Sequence, residues 1–368
     1  TIASIQLPLS SFSSIQMALY RRNFDFKTLF RVRVVGAIIP FIITIPLALI
    51  GFDYWSLVIG MICMQLFNAI YLTCKSSWKP TLFYDFKILK KMFSFSIWSL
   101  VESISIWLTV WIDSFIIALY LNQYYLGLYR TSTIMVGALF SLITASVVPV
   151  LFSTLSRLQS NESQFKRTFY RFQKLVAILV LPLGVGVYLY SDLATKIVLG
   201  DQWGEASKVI GVWALTSVIM IVFGHFSSEV YRAKGKPKIS FIAQILHLIV
   251  LVPAIIFVAN FGFWPLVYTR AWIKMQFVVV HFVLMKYDMG FSIIRTIKNV
   301  IPSMISVSLM AILILFLQSI SDNIVWTIIS IIISALFYIC IILMFPAERF
   351  ELKKIMKVVL PLRISQRV

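Results

Sequence analysis

Four charged residues stand where charge is costly. Glu102 and Asp113 lie inside the apolar stretch 92–120, and Arg270 and Lys274 lie inside another, 264–285. Ionisable groups at membrane depth mark substrate or ion pathways, because each must face a partner or a water-filled cavity. Arg270 and Lys274 are four residues apart, so they share one helical face. At a rise of 1.5 Å per residue they lie about 9 and about 15 Å in from Trp264, the second near the mid-plane. Two cations on one stripe suit a diphosphate, which accepts many charge-assisted hydrogen bonds. The structural alternative is that they neutralise Glu102 and Asp113 as a fixed network, or that Arg270 snorkels outward.

Glu102 is about 15 Å into its helix, also near the mid-plane. Asp113 follows eleven residues later, about three helical turns, so both acids can face one cavity. There a carboxylate could exchange a proton or bind Na⁺ as the cavity opens to each side. For Asp113 the structural alternative is an ion pair with Arg130, near the start of the next helix. His225, His247 and His281 fall on three separate helices without helical partner spacing, so packing is expected rather than a metal site. Trp107, Trp111 and Trp272 are candidates for stacking on a sugar. No motif for a cofactor or a nucleotide is present.

These groups need a membrane protein to hold them. The chain has 368 residues, is 60% hydrophobic and only 13% charged, with mean hydropathy +0.93. Those values exclude an ordinary soluble protein, and continuous rather than alternating apolar runs indicate helices. The net charge of +19 would suggest nucleic acid in a soluble protein. Here the basic residues sit in short loops between apolar runs, so no nucleic-acid partner is expected. Cys63, Cys74 and Cys340 lie in or beside apolar runs without metal or disulfide spacing.

Runs free of Lys, Arg, Asp and Glu give eleven spans: 1–20, 34–52, 54–74, 92–120, 127–155, 175–191, 209–228, 239–260, 264–285, 299–320 and 323–345. The ninth is separated from the eighth at Asn260-Phe261-Gly262, a turn signal. Lys and Arg then number five in 21–33, five in 75–91, five in 157–174, four in 229–238, three in 286–298 and six in 347–368, which is 28 of 33 on alternate loops. This puts the C-terminus in the cytoplasm and Thr1 outside. No basic leader precedes the first run, which is therefore not read as a signal peptide. An odd span count with an external start suggests helices missing upstream. Between 192 and 208 a short interfacial helix is expected, with Trp203 at head-group depth.

An internal repeat supports that suggestion. Phe12-Ser13-Ser14 is followed 39 residues on by Gly51-Phe52, and Phe226-Ser227-Ser228 is followed 36 residues on by Gly262-Phe263, each time across a basic loop and an apolar helix. Equal orientation of the copies implies two halves related by an axis along the membrane normal. The expected fold is all-α and polytopic: two pseudo-symmetric helical bundles around a central cavity, the first incomplete, and two C-terminal helices. Residues 1–74 would be the last three helices of the first lobe and 75–91 a cytoplasmic link. Residues 92–285 would be a complete six-helix lobe, 286–346 two further helices, and 347–368 a basic amphipathic tail on the inner leaflet.

Several segments carry a resemblance: ALYRRNFDFKTLFRV, GFDYWSLV, WIDSFIIALYL with YLGLYR, VVPVLFSTLSRL and VLGDQWGEASKVIGVWAL. Taken in order they resemble bacterial polysaccharide flippases of the multidrug/oligosaccharidyl-lipid/polysaccharide exporter superfamily. The resemblance implies fourteen helices, of which these would be the fourth to the fourteenth. It also implies transport of an undecaprenyl-diphosphate-linked oligosaccharide across the bacterial inner membrane, with the polyprenyl tail in lipid. Asp113 falls in the WIDSFII segment; Glu102 falls in none of these segments.

The expected protein is a monomeric transporter, not an enzyme. Its partners would be that glycan carrier, membrane lipids and a coupling H⁺ or Na⁺. A drug or cation antiporter of the same superfamily would have an acidic cavity, whereas the intramembrane charges here are three basic and two acidic. A polymerase or ligase would need catalytic groups on a sizeable external loop, and the external loops are short.

Overall fold

A computed structural model describes residues 2–76, 78, 85–321 and 323–359, except for the side chains of 2, 3, 91 and 354–359. Residues 1, 77, 79–84, 322 and 360–368, hence Thr1 with its expected external position, part of the expected link and the end of the expected tail, lie outside the described residues. The fold is helical throughout the described chain. The helices are α1 (Gln6–Arg22), α2 (Phe26–Leu49), α3 (Asp53–Lys75), α4 (Phe86–Tyr120), α5 (Gln123–Arg157), α6 (Glu162–Leu189), α7 (Ser191–Leu199), α8 (Ala206–Met220), α9 (Ser227–Ala233), α10 (Pro237–Ala259), α11 (Phe263–Trp272), α12 (Lys274–Tyr287), α13 (Ile293–Lys298), α14 (Ile301–Gln318), α15 (Ile324–Met344) and α16 (Pro346–Val359).

Among the described residues, nine helical segments are long and apolar enough to cross a membrane. The other two of the expected eleven are helical but divided or short. The 17-residue α1 replaces the first, and 264–285 is interrupted at Ile273 between α11 and α12. Several spans run longer than their uncharged runs. The basic stretch from Glu162 is already helix, because Phe165, Phe169 and Gln173 recur at four-residue spacing and are buried. Counting charge-free residues cuts such a helix short wherever its outer face is charged.

Helix starts follow local chemistry. Asn122 accepts from the Tyr125 N–H at 3.0 Å, Asn161 from Gln164 at 3.1 Å and Asn323 from Val325 at 2.9 Å, each satisfying an amide that the helix leaves free. The two glycines of the repeat occupy equivalent turns. Gly51 (φ +91°) separates α2 from α3 and Gly262 (φ +102°) separates α10 from α11, a backbone region that favours glycine.

The chain divides into two units, Thr1–Lys90 and Lys91–Val368. In the smaller, α2 and α3 form a hairpin with α1 against α3. Asp25 caps α2, and Gln16 donates to Thr73 Oγ1 at 2.7 Å. The larger unit is built on Ala206–Ala233, the most buried of the nine spans, in which α8 passes through a π-helical turn at Ile221–His225 into α9. Close packing of α6 on α8 requires Gly184, where a Cβ would stand 2.1 Å from Val218 Cγ1. The α14–α15 pair docks on α6: Tyr338 donates to the Ile178 carbonyl at 2.8 Å, and Gln318 to that of Leu189 at 2.9 Å. Two ion pairs, Lys174–Glu348 (3.2 Å) and Arg171–Glu351 (2.7 Å), tie the start of α16 to α6.

Candidate functional site

The larger unit gathers charge around one face of α8. From α4 come Thr109 and Asp113, from α5 Tyr129, from α8 Trp213, Thr216 and Ser217, from α11 Arg270, and from α12 Lys274. Ile273 interrupts the helix between the two cations, yet it keeps right-handed helical backbone (φ −62°, ψ −16°) and bonds to the Thr269 carbonyl at 2.9 Å. The four-residue relation therefore survives, and both cations reach the same indole.

Asp113 is buried, with 2% of its surface exposed. Its Oδ2 accepts from Arg270 Nε at 2.8 Å and from the Tyr129 hydroxyl at 2.5 Å, and its Oδ1 accepts the Ser114 N–H at 2.9 Å. Arg270, also buried, donates a second bond to the Thr109 carbonyl at 3.2 Å. The Thr109 hydroxyl donates to the Ser105 carbonyl at 2.9 Å and accepts from Gln244 of α10. A carboxylate and a guanidinium so enclosed are mutually neutralised, and losing either partner would strand the other in low dielectric.

Lys274 is held differently. Its Nζ lies 3.5 Å from the centroid of the Trp213 ring and donates to Ser217 Oγ at 2.8 Å and Thr216 Oγ1 at 3.4 Å. No carboxylate lies within 4.0 Å of it among the described residues. Trp213 also has Arg270 Cζ at 5.3 Å and the Tyr129 ring edge-on at 5.5 Å. An aromatic face and two hydroxyls position an ammonium while leaving its charge unneutralised. Lys274 is half-buried.

Glu102 belongs to another cluster. It accepts from Arg232 Nη2 at 3.2 Å and from the Ser240 hydroxyl at 2.5 Å, and Arg232 also meets Glu229 at 3.5 Å. Glu102 and Asp113 share α4 but not a partner, so the structural alternative of one fixed network with Arg270 and Lys274 is not formed: Asp113 pairs with Arg270, and Glu102 with Arg232. The alternative pairing of Asp113 with Arg130 is not formed. Arg130 instead lies over Trp111, 4.2 Å from the ring centroid. Trp107 and Trp272 are about half exposed, and Trp111 is 37% exposed.

Sequence reasoning missed Trp213, Tyr129, Ser217 and Arg232. Trp213 and Tyr129 look like ordinary apolar-helix residues, and Arg232 was counted with a loop although α9 carries it. The histidines are on separate helices, yet His247 stacks on Phe277 at 4.4 Å, and the His281 ring meets Phe277 at a tilt, 4.5 Å between centroids. Among the described residues no group of His, Cys, Asp and Glu could hold a metal ion.

A family described as "Polysaccharide biosynthesis protein" matches residues 1–208, more than half of the 368. The chain belongs to that family. The segments quoted from the sequence, with their resemblance to polysaccharide flippases of the exporter superfamily, point to the same group. Among curated relatives, the chain is 23% identical over 110 residues to the lipopolysaccharide biosynthesis protein WzxC of Escherichia coli K12, an alignment covering 30% of this chain and 22% of WzxC. It is 20% identical over 219 residues to the succinoglycan biosynthesis transport protein ExoT of Rhizobium meliloti, covering 60% of this chain and 44% of ExoT. It is also 20% identical over 227 residues to the teichuronic acid biosynthesis protein TuaB of Bacillus subtilis, covering 60% and 46%. The chain thus spans less than half the length of the curated relatives it matches. Its fold is similar to that of the structure of the lipid II flippase MurJ in its inward closed conformation, with TM-score 0.66 and 18% identity over 95% of this chain and 74% of MurJ. Glu102, Asp113 and Arg130 lie within the stretch matched to the polysaccharide biosynthesis family; Arg270 and Lys274 lie beyond it.

Proposed function

We propose that this chain belongs to a transporter that moves an undecaprenyl-diphosphate-linked oligosaccharide across the bacterial inner membrane by alternating access, with its C-terminus in the cytoplasm. The observation that carries the reading is Lys274: a basic side chain at membrane depth, aimed by Trp213 and Ser217, with no carboxylate within 4.0 Å among the described residues. Such a group costs stability unless something anionic visits it. Arg270 would act beside it, its Asp113 contact holding the guanidinium in place while its remaining edge meets a phosphate oxygen. The names of ExoT, a transport protein, and MurJ, a lipid II flippase, support a transport role rather than an enzymatic one.

Coupling to H⁺ or Na⁺ would act through Asp113 and Glu102, each now bound to a guanidinium. A proton or Na⁺ would compete with Arg270 or Arg232 for the carboxylate, and differential affinity in the two states would bias the return step. Arg130 would have an electrostatic part at the outer end, and the working unit would be a monomer. A cation antiporter is the second reading, supported by the acidic pair on α4 alone. The deciding experiment is rescue of surface glycan in a flippase-deleted host by the gene encoding this chain, with Lys274→Ala and Arg270→Ala beside it. Normal glycan from both variants sinks the diphosphate assignment. Indifference to collapse of both the proton and the sodium gradient removes the coupling role.

A further inference from the structure

Apart from the Asp113–Arg270 pair, the larger unit contains an open pocket of about 310 Å³ lined by Lys166, Lys234 and Lys236 together with Glu162 and Asp288. Three elements form it: the first turn of α6, the turn between α9 and α10, and the turn that follows α12. Two long helices start here, since Glu162 is the first residue of α6 and Lys236 is the N-cap of α10. Helix N-termini carry partial positive charge and amides without intrahelical partners, which adds to the three ammonium groups.

The lysines are arranged rather than merely exposed. Lys166 pairs with Glu162 and lies 5.7 Å from the Phe291 ring centroid. Lys234 donates to the Gln159 carbonyl at 2.7 Å and lies 4.6 Å over Phe165. Lys236 has no carboxylate within 4.0 Å among the described residues. Gly290 (φ +66°) lacks the side chain whose Cβ would stand 3.1 Å from Lys166 Nζ, which leaves room for that ammonium. With Glu162 engaged by Lys166 and Asp288 exposed, the lining has three cations against two acids.

The pocket stands where three of the Lys- and Arg-rich loops meet, 157–174, 229–238 and 286–298, the side that positive charge assigns to the cytoplasm. Its volume is at the low end for ligand pockets, about 300–1,000 Å³. That is room for a phosphorylated head group and not for a diphosphate with its oligosaccharide. Basic pockets between membrane helices on this side suit anionic head groups. We propose that Lys166, Lys234 and Lys236 form a second anion site that binds the phosphate of an anionic phospholipid of the inner leaflet. Free phosphate would satisfy the same lysines, so the test must separate the two sources.

The purified chain is exchanged into nanodiscs of phosphatidylcholine with or without phosphatidylglycerol, and lipid retained after mild delipidation is counted by native mass spectrometry. In a second arm, pyrophosphate alone is titrated in detergent and thermal protection is read. Preferential retention of phosphatidylglycerol supports the lipid source; saturable protection by pyrophosphate without that preference supports a soluble phosphate. Either signal should fall about tenfold to thirtyfold in Lys234→Gln/Lys236→Gln and rise about fivefold in Asp288→Asn, following the attraction of each charge near the surface. Lys27→Gln/Lys87→Gln removes equal charge in the smaller unit and should change nothing. Neither signal in the wild type, or an equal fall in the control pair, overturns the proposal. Because Asp288 is exposed, its variant keeps the test decisive if the double lysine variant fails to fold.

Discussion

Lys274 Nζ stands 3.5 Å from the centroid of the Trp213 ring, while Arg270, one turn earlier, is locked onto Asp113 at 2.8 Å. One helical stripe thus presents a committed cation and an uncommitted one. The first organises the bundle, and the second meets an aromatic face and two hydroxyls.

Removing each cation should therefore have different consequences. Lys274→Met leaves no buried carboxylate unpaired, so the melting temperature should stay within a few degrees of wild type while transport falls at least about tenfold, the cost of one charge-assisted contact. Lys274→Arg should retain part of the activity. Unchanged glycan export by Lys274→Met would show that the ammonium has no transport role.

Arg270→Met strands Asp113 and should cost about 3–5 kcal/mol of stability. Tyr129→Phe, which removes one hydrogen bond to the same oxygen, should cost about 1.5–3 kcal/mol. Adding Asp113→Asn to Arg270→Met should recover much of the loss, and a double-mutant cycle by thermal melting in detergent measures the coupling. Additive losses would mean that the two side chains do not depend on one another.

Gly184→Ala should be severely destabilising for its size, by about 1–3 kcal/mol, because its methyl would meet Val218 on α8. Val218→Ala should rescue it. Gly186→Ala, with nothing within 4 Å of the added methyl, should be close to neutral. If Gly184→Ala melts normally but transports poorly, that glycine is a hinge rather than a packing contact.

In the smaller unit, the Thr28 hydroxyl and the Thr28 N–H both donate to Asp25, holding its carboxyl below the ordinary value of 3.8. A depressed folded pKa gives stability that is present above the unfolded value and lost as pH falls through the folded one. Asp25→Ala should therefore cost about 1 kcal/mol near pH 6, and its gap from wild type should close as pH drops below 4. A gap independent of pH would remove the cap from the account.

The membrane character, the alternation of basic loops and the costly charges at depth were legible in the sequence. Each is local: an apolar run, a loop composition, or a charge inside a run. The Gly262 turn was legible for the same reason, as Asn260-Phe261-Gly262 marks a break between two runs. Less legible was the start of α6, where a charged outer face conceals a buried stripe.

Partnership was decided by tertiary structure. Glu102 and Asp113 are about three turns apart on α4, and spacing alone gave them one cavity. The packing of α9 and α10 gave Glu102 to Arg232 and Ser240, and the packing of α5 and α11 gave Asp113 to Tyr129 and Arg270. Trp213 acquired its place between two cations only because α8 runs through the middle of the unit. Sequence determines that a charge in an apolar helix must find a partner; which partner depends on which helices touch, and that is set by the shapes of many side chains at once.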